Sequence, residues 1–198
     1  MARPREAHAQ AAAGDVTTLT ALQRAEYDAI RTYSTAESIL MTDLSSDPQA
    51  STVRAVAAYY RGQHEAHANA LRTAITAAGG TPIDPTTVFF MPPTGFRATV
   101  ANIIKLAANK EKAAAVAYAE AVRSLGTAER AQLAAAIGGV ETQHWIVLYL
   151  LAKGVVQPGM NAATMLNQLC PQAFVASVGT GTAGLEAVAE YQYAPNAT

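Results

Sequence analysis

The sequence predicts an all-α protein built as a four-helix bundle. Long tracts are dominated by Ala, Leu, Glu, Gln, Arg and Lys, which favour helix. Gly and Pro are concentrated between those tracts, where they interrupt helices. The chain has 198 residues, of which 51% are hydrophobic and 15% charged. It is therefore long enough to bury the core of one globular domain.

The first two helices are predicted from apolar spacing and end signals. Helix 1 runs from Asp15 or Thr17 to about residue 43, because apolar residues recur at three- and four-residue intervals. We expect Asp47 to cap helix 2, with Pro48 in its first turn, since proline has no N–H to lose there. The glycine pair at 79–80 ends helix 2.

The last two helices have clearer ends. Helix 3 is predicted over 96–125 and stops at Gly126. Thr127 is expected to cap helix 4, and Glu129 suits the positive end of the helix dipole. Gly154 closes helix 4 after a terminal lysine. The links between helices 1 and 2 and between helices 3 and 4 are short, so each pair is predicted to form an antiparallel hairpin.

The link between helices 2 and 3 is long and proline-rich, "GGTPIDPTTVFFMPPTG" at 79–95. At roughly 3.3 Å per extended residue it spans about 55 Å, whereas a 30-residue helix is about 45 Å long. The link therefore predicts a crossover along the bundle that makes helices 2 and 3 parallel. A loop folded locally on one end of the bundle is the alternative.

Regions outside the bundle and the overall charge bound the remaining expectations. We expect a flexible N-terminus at 1–14, the bundle at 15–153, and a C-terminal extension at 154–198 with a short helix over 161–169.

A net charge of −1 with no basic run predicts neither a nucleic-acid nor a membrane partner. The N-terminal segment has no apolar core, so we do not expect it to be a complete signal peptide. The chain as written predicts a cytoplasmic location, with export as the alternative if a leader was removed.

Glutamates and histidines on all four helices are predicted to share one layer of the core. Helix 4 contains "ETQH" and helix 2 contains "HEAH", each with two side chains at the i, i+3 spacing of one helix face. Helices 1 and 3 each place a glutamate at a matching distance from the hairpin turn, within the few ångströms that one or two residues represent. The six candidate ligands are Glu26, His64, His67, Glu111, Glu141 and His144.

A layer of this composition predicts a metal site. Buried charges are normally paired or bound to metal, and three of the chain's four histidines fall in this layer. Tyr33 and Tyr118 each follow a candidate glutamate by seven residues. We interpret them as core aromatics whose hydroxyls find a partner, with roles as donors around the metal or as radical relays as the alternative. Gln63 and Glu65 are expected to face solvent.

Four segments carry a family resemblance: "AEYDAIRTY", "HANALRTAI", "EKAAAVAY" and "VETQHWIVL". Residues 15–153 resemble the ferritin-like superfamily of carboxylate-bridged dimetal proteins, and more narrowly the bacterial ferritin-like domain family grouped with desiccation-related proteins. The resemblance implies that Glu141 bridges two metals. The terminal ligands that it implies are Glu26, His67, Glu111 and His144.

His64 departs from that pattern, because it stands where the resemblance implies a second bridging glutamate. Only three carboxylates then remain to balance two divalent ions. Imidazole suits zinc, iron, copper or nickel and disfavours magnesium or calcium. We expect an altered site with one tightly held metal, an unequal pair, or a pair completed by solvent.

The resemblance implies a non-haem metal site with redox chemistry on oxygen, peroxide or ferrous iron. Iron or manganese is the expected metal, with zinc as the alternative, and no other cofactor site is predicted. Expected partners are metal ions and small oxidants, with a homo-oligomer as a further expectation. Two alternatives are a stress-related or structural bundle without turnover and a metal-binding or storage module, so whether the protein is an enzyme stays open.

Overall fold

The structure, a computed structural model, describes the backbone of residues 4–154 and the side chains from residue 13 onward. Four α-helices account for most of this part of the chain, and it contains no strand. One 3-10 turn, Pro85–Thr87, lies between the second and third helices. The helices are α1 (Pro4–Thr42), α2 (Ala50–Ala77), α3 (Val100–Ser124) and α4 (Ala128–Ala152). The predicted all-α bundle is confirmed.

The helices pack as two antiparallel hairpins, α1 with α2 and α3 with α4, and α1 also lies against α3. Three apolar clusters form the core of the described residues, and two of them lie on opposite sides of the polar layer described below. The cluster towards the α1–α2 turn contains Leu40, Val53 and Trp145. The cluster towards the α3–α4 turn contains Leu19 and Ile75. Apolar packing on both sides therefore fixes the height at which the polar side chains meet.

The link between α2 and α3 runs along α1, as predicted for a long crossover. Near its start, the Ile83 N–H donates to the side-chain oxygen of Gln23 at 2.9 Å. Further along, Arg31 donates to the carbonyl of Pro85 at 3.2 Å. At its end, Phe96 packs against the cluster that contains Leu40. The contacts follow α1 towards its C-terminal end, so the alternative of a loop folded at one end is wrong.

The predicted ends of α3 and α4 are partly confirmed. Thr127 caps α4 by accepting a hydrogen bond from the Arg130 N–H at 3.3 Å. Gly154 has φ +63 just after α4, a conformation that glycine adopts without strain. The start of α3 differs from the prediction, because Thr99 accepts a hydrogen bond from the Asn102 N–H at 3.1 Å and caps the helix there.

The predicted starts of α1 and α2 are wrong. α1 begins at Pro4, since proline suits a first helical turn and the following Ala-rich segment favours helix. Asp15 does not start α1; its carboxylate accepts hydrogen bonds from Gly126 N–H and Arg130 and ties α1 to the α3–α4 turn. Asp47 forms a turn that precedes α2, with its carbonyl accepting from the Ala50 N–H. The end of α2 before the glycine pair is confirmed.

None of the helices that the structure describes combines the length and the apolar composition that a membrane span requires. The C-terminal extension and the short helix predicted over 161–169 lie outside the described residues. The predicted flexibility of 1–14 stays a prediction.

Candidate metal centre

The structure brings all six predicted side chains together between the two apolar clusters. Five of them are almost fully buried, with at most 2% of each residue exposed. His67 is the most open, with 12% of its side chain exposed. The layer draws one glutamate each from α1 and α3, two histidines from α2, and a glutamate and a histidine from α4.

His64 occupies the middle of this layer and contacts two helices. Its Nδ1 lies 2.7 Å from Oε2 of Glu26 on α1. Its Nε2 lies 3.1 Å from Oε1 of Glu111 on α3. Because carboxylates only accept hydrogen bonds, both ring nitrogens donate in this arrangement. The residue that replaces the expected glutamate therefore spans the bundle from α1 to α3.

Glu141 is fully buried, and neither of its oxygens has a hydrogen-bond partner among the residues that the structure describes. Oε1 lies 2.8 Å from Nδ1 of His67, without hydrogen-bond geometry, and Oε2 lies 3.6 Å from Nδ1 of His144. Within the described part of the chain, the His67 Nδ1 also has no hydrogen-bond partner. Leaving a buried polar group unsatisfied costs about 1–3 kcal/mol, and more for a charged group. A cation among these atoms would satisfy all of them.

The candidate ligands form two overlapping groups in which the ligand atoms lie within 4.8 Å of one another. One group is Glu26, His64, His67 and Glu141. The other is His64, Glu111, Glu141 and His144. His64 and Glu141 belong to both. A mixed set of carboxylate oxygens and imidazole nitrogens suits iron or zinc better than magnesium or calcium, so the residues present fit a metal.

Two tyrosines hold the glutamates of the opposite helix. Tyr33 on α1 donates a hydrogen bond to Oε1 of Glu111 on α3, and Tyr118 on α3 donates to Oε1 of Glu26 on α1. Both rings are buried. The expectation that these hydroxyls find partners is confirmed, and the partners are the candidate ligands themselves.

Gln63 contacts the layer as well, contrary to the prediction that it faces solvent. Its Oε1 lies 2.7 Å from Nε2 of His144, so the ring donates there and turns Nδ1 towards Glu111 and Glu141. A ligating histidine usually has its second nitrogen held in this way. The sequence carried no signal for this contact beyond the position next to His64. Glu65 is exposed and pairs with Arg61, as expected for a surface residue.

The protonation of the layer follows from these contacts. Burial lowers the pKa of His64, but hydrogen bonds to Glu111 and Glu26 outweigh it and raise the pKa well above 6.5. Burial also lowers the pKa of His67, but the neighbouring carboxylates of Glu141 and Glu26 outweigh it and raise the pKa to about 9. Burial raises the pKa of Glu111, yet hydrogen bonds from His144 and His64 lower it overall. Burial dominates at Glu141 and raises its pKa.

A glycine on α4 explains how Glu141 reaches the layer. A Cβ atom added at Gly138 would lie 2.9 Å from Cβ of Tyr118 on α3, closer than real Cβ contacts. Gly138 therefore permits α4 to approach α3 closely, one turn before Glu141. At the neighbouring Gly139, no atom of the described residues lies within 4 Å of such a Cβ, so of these two glycines Gly138 alone has this packing role.

A cleft between α1 and α3 leads to the layer. It has a volume of about 370 Å³, and its walls include small side chains such as Ala29 and Ala114. Glu26, His64 and Glu111 also line it. This cleft offers a route by which ions and small molecules reach the buried side chains.

Four helices with one long crossover, enclosing a layer of carboxylates and imidazoles, define a bundle that can hold metal in its core. A family model described as "Ferritin-like domain" matches residues 14–153, and the chain belongs to that family. The predicted superfamily is thereby confirmed. No curated protein matches the sequence.

The fold is also similar to a solved structure, the bacterioferritin of Desulfovibrio desulfuricans. The TM-score is 0.60 at 17% sequence identity, and the match covers 81% of this chain and 90% of that chain. That crystal structure is described as showing the diiron site in different catalytic states. At this identity the likeness shows a shared fold.

Proposed function

We propose that this chain is a ferritin-like metalloprotein that holds one or two non-haem metal ions in its core. Glu141 supports the proposal most directly, because both of its oxygens are buried between His67 and His144 with no hydrogen-bond partner in the described residues, 13–154. The proposed ligands are the six side chains of the layer: Glu26, His64, His67, Glu111, Glu141 and His144.

Iron is the metal that we propose first. The donor set suits it, and the bacterioferritin with the similar fold is described as containing a diiron site. Manganese and zinc remain alternatives from the sequence. Bound iron would supply redox chemistry towards oxygen, peroxide or ferrous iron. A homo-oligomer stays part of the proposal.

In this proposal the residues of the layer bind the cation and neutralise its charge, and their neighbours orient the ligands. The three glutamates supply negative charge that stabilises a bound cation. Tyr33 and Tyr118 fix the carboxylates of Glu111 and Glu26 through hydrogen bonds, which keeps one oxygen of each turned into the layer. The apolar clusters keep water away from the two ends of the layer, and the lower dielectric there strengthens charge interactions.

Metal analysis of purified variants tests the proposal. We expect native protein to carry metal, and Glu141→Ala and His144→Ala to lose most of it. Glu65→Ala is the matched control, since Glu65 neighbours His64 in the sequence but is exposed on the helix surface. Retention of bound metal in both core variants, or no metal in native protein, would contradict the proposal.

A structural bundle without turnover is the second candidate, and His64 favours it. With both ring nitrogens donating to carboxylates, His64 neutralises part of the layer in the absence of any metal. The His67 and His144 side chains, with raised pKa values, balance the rest. This candidate predicts a melting temperature that a chelator does not change, whereas a metalloprotein melts lower once its metal is removed.

A further inference from the structure

His64 faces the two ligand groups with different atoms. Its Nδ1 lies near Oε2 of Glu26 at 2.7 Å and near Oε1 of Glu141 at 3.6 Å. Its Nε2 lies 3.1 Å from Glu111. The two nitrogens are joined through one carbon of a rigid ring and their lone pairs diverge, so each is directed at one group and away from the other.

Glu141 has the same division between its two oxygens. Oε1 lies on the side of His67, and Oε2 lies on the side of His144. Each group therefore contains one atom from His64, one from Glu141, one further glutamate and one further histidine. No side chain has to move to the other side of the layer for each group to present four ligand atoms.

We propose that His64 bridges two metal ions, with Nδ1 on one ion and Nε2 on the other. The first ion would share His64 with Glu26, His67 and Glu141, and the second would share it with Glu111, Glu141 and His144. This inference rests on the proposed function, because it requires the layer to bind metal. It replaces a carboxylate bridge by an imidazole bridge.

An imidazole bridge differs from a glutamate bridge in the spacing of the two ions but matches it in charge. Its nitrogens are separated by the ring, so the two ions lie farther apart than the about 3.5–4 Å of common two-metal sites. An imidazole bound through both nitrogens has no N–H left and carries a negative charge. Together with three glutamates it balances two divalent ions, which the glutamates alone do not.

Variants of His64 that can offer only one of its two ligand positions test the bridge, with Zn²⁺ as the probe. An asparagine amide reaches the position of Nδ1, whereas a glutamine amide reaches the position of Nε2. His64→Asn should keep the ion beside Glu26 and His67 and lose the other. His64→Gln should keep the ion beside Glu111 and His144 and lose the first. Equilibrium dialysis and zinc anomalous diffraction measure the number and position of the ions.

The expected results are about two zinc ions per native chain, one on each side of the ring, and about one in each variant. The bridge is overturned if both variants keep both ions, if both lose the same ion, or if the native ions lie 3.5–4 Å apart. A single ion in native protein overturns the bridge but leaves the proposed function standing. An absence of bound zinc and iron in native protein overturns both.

Circular dichroism of the variants before metal is added shows whether they fold. If either variant fails to fold, zinc anomalous diffraction from crystals of native protein tests the bridge by itself. Only a bridge places one zinc ion against each nitrogen of His64. Glu65→Gln is the matched control on the same helix, and it should bind zinc as native protein does.

Discussion

The hydroxyl of Tyr118 on α3 donates a hydrogen bond to the carboxylate of Glu26 on α1. Tyr33 on α1 makes the reciprocal contact with Glu111 on α3. Each tyrosine lies seven residues after the glutamate of its own helix and holds the glutamate of the other. The two hairpins are therefore joined through the polar layer by a pair of equivalent contacts.

Removal of one of these hydroxyls should destabilise the bundle. A hydrogen bond to a charged group contributes about 1.5–3 kcal/mol, so Tyr118→Phe should lower the free energy of unfolding by about that amount. Urea denaturation monitored by circular dichroism measures the change. Tyr59→Phe is the control, because Tyr59 is 66% exposed and its variant should be unchanged. Equal effects of the two substitutions would contradict this account of Tyr118.

Adjacent glycines on α4 should respond in opposite directions to alanine. Gly138→Ala places a Cβ against Cβ of Tyr118, and overpacking of this kind costs about 1–3 kcal/mol. Gly139→Ala meets no neighbour and should stabilise the helix by about 0.5–1 kcal/mol. Thermal melting of the two variants beside native protein is the measurement. A stabilised Gly138→Ala variant would show that α4 does not need this close approach.

The metal-free protein should lose stability at alkaline pH. The pKa of His67 is raised from 6.5 to about 9, so its contribution to stability is fully present below pH 6.5 and is lost as pH rises through about 9. Melting of chelator-treated protein across pH 6 to 10, in roughly one-unit steps, measures the decline. His67→Gln should make the decline shallower without abolishing it, because the pKa values of His64 and His144 are raised as well. An unchanged profile in that variant would contradict the assignment.

At acid pH we expect the opposite dependence, with stability lost as the pH is lowered. The pKa of Glu111 is lowered from 4.5, so the stability from its ionised form is present above pH 4.5 and is lost as pH falls towards the lowered pKa. Metal affinity should also decrease as the pH is lowered, because protons compete with the metal for the same nitrogen and oxygen atoms.

Gln63 should act through His144. Gln63→Leu removes the acceptor for His144 Nε2, and loss of such a partner typically weakens metal binding by about 10–100-fold. Gln63→Glu keeps an acceptor and should restore binding. Competition with a chromophoric chelator measures the affinity. Weak binding in both variants would contradict this role of Gln63, because glutamate has the size of glutamine and keeps an acceptor oxygen.

Much of the layer could be predicted because helix geometry converts spacing into position. The i, i+3 pairs on α2 and α4 and the matched distances from the two turns placed all six side chains at one height. Gln63 was missed because periodicity says which way a side chain points but not which neighbour it meets across an interface. The predicted start of α3 differs from the observed one because the local cap at Thr99, rather than the apolar pattern, determines where the helix begins.

The melting temperature of native protein with and without Fe²⁺ tests the central claim most directly. Ligand that binds only the folded state stabilises it, by about 2.7 kcal/mol at a concentration of 100 Kd. Under anaerobic conditions we predict that Fe²⁺ raises the melting temperature of chelator-stripped native protein and leaves that of Glu141→Ala unchanged. Identical melting of native protein in Fe²⁺ and in chelator would mean that the layer is a buried polar network without metal.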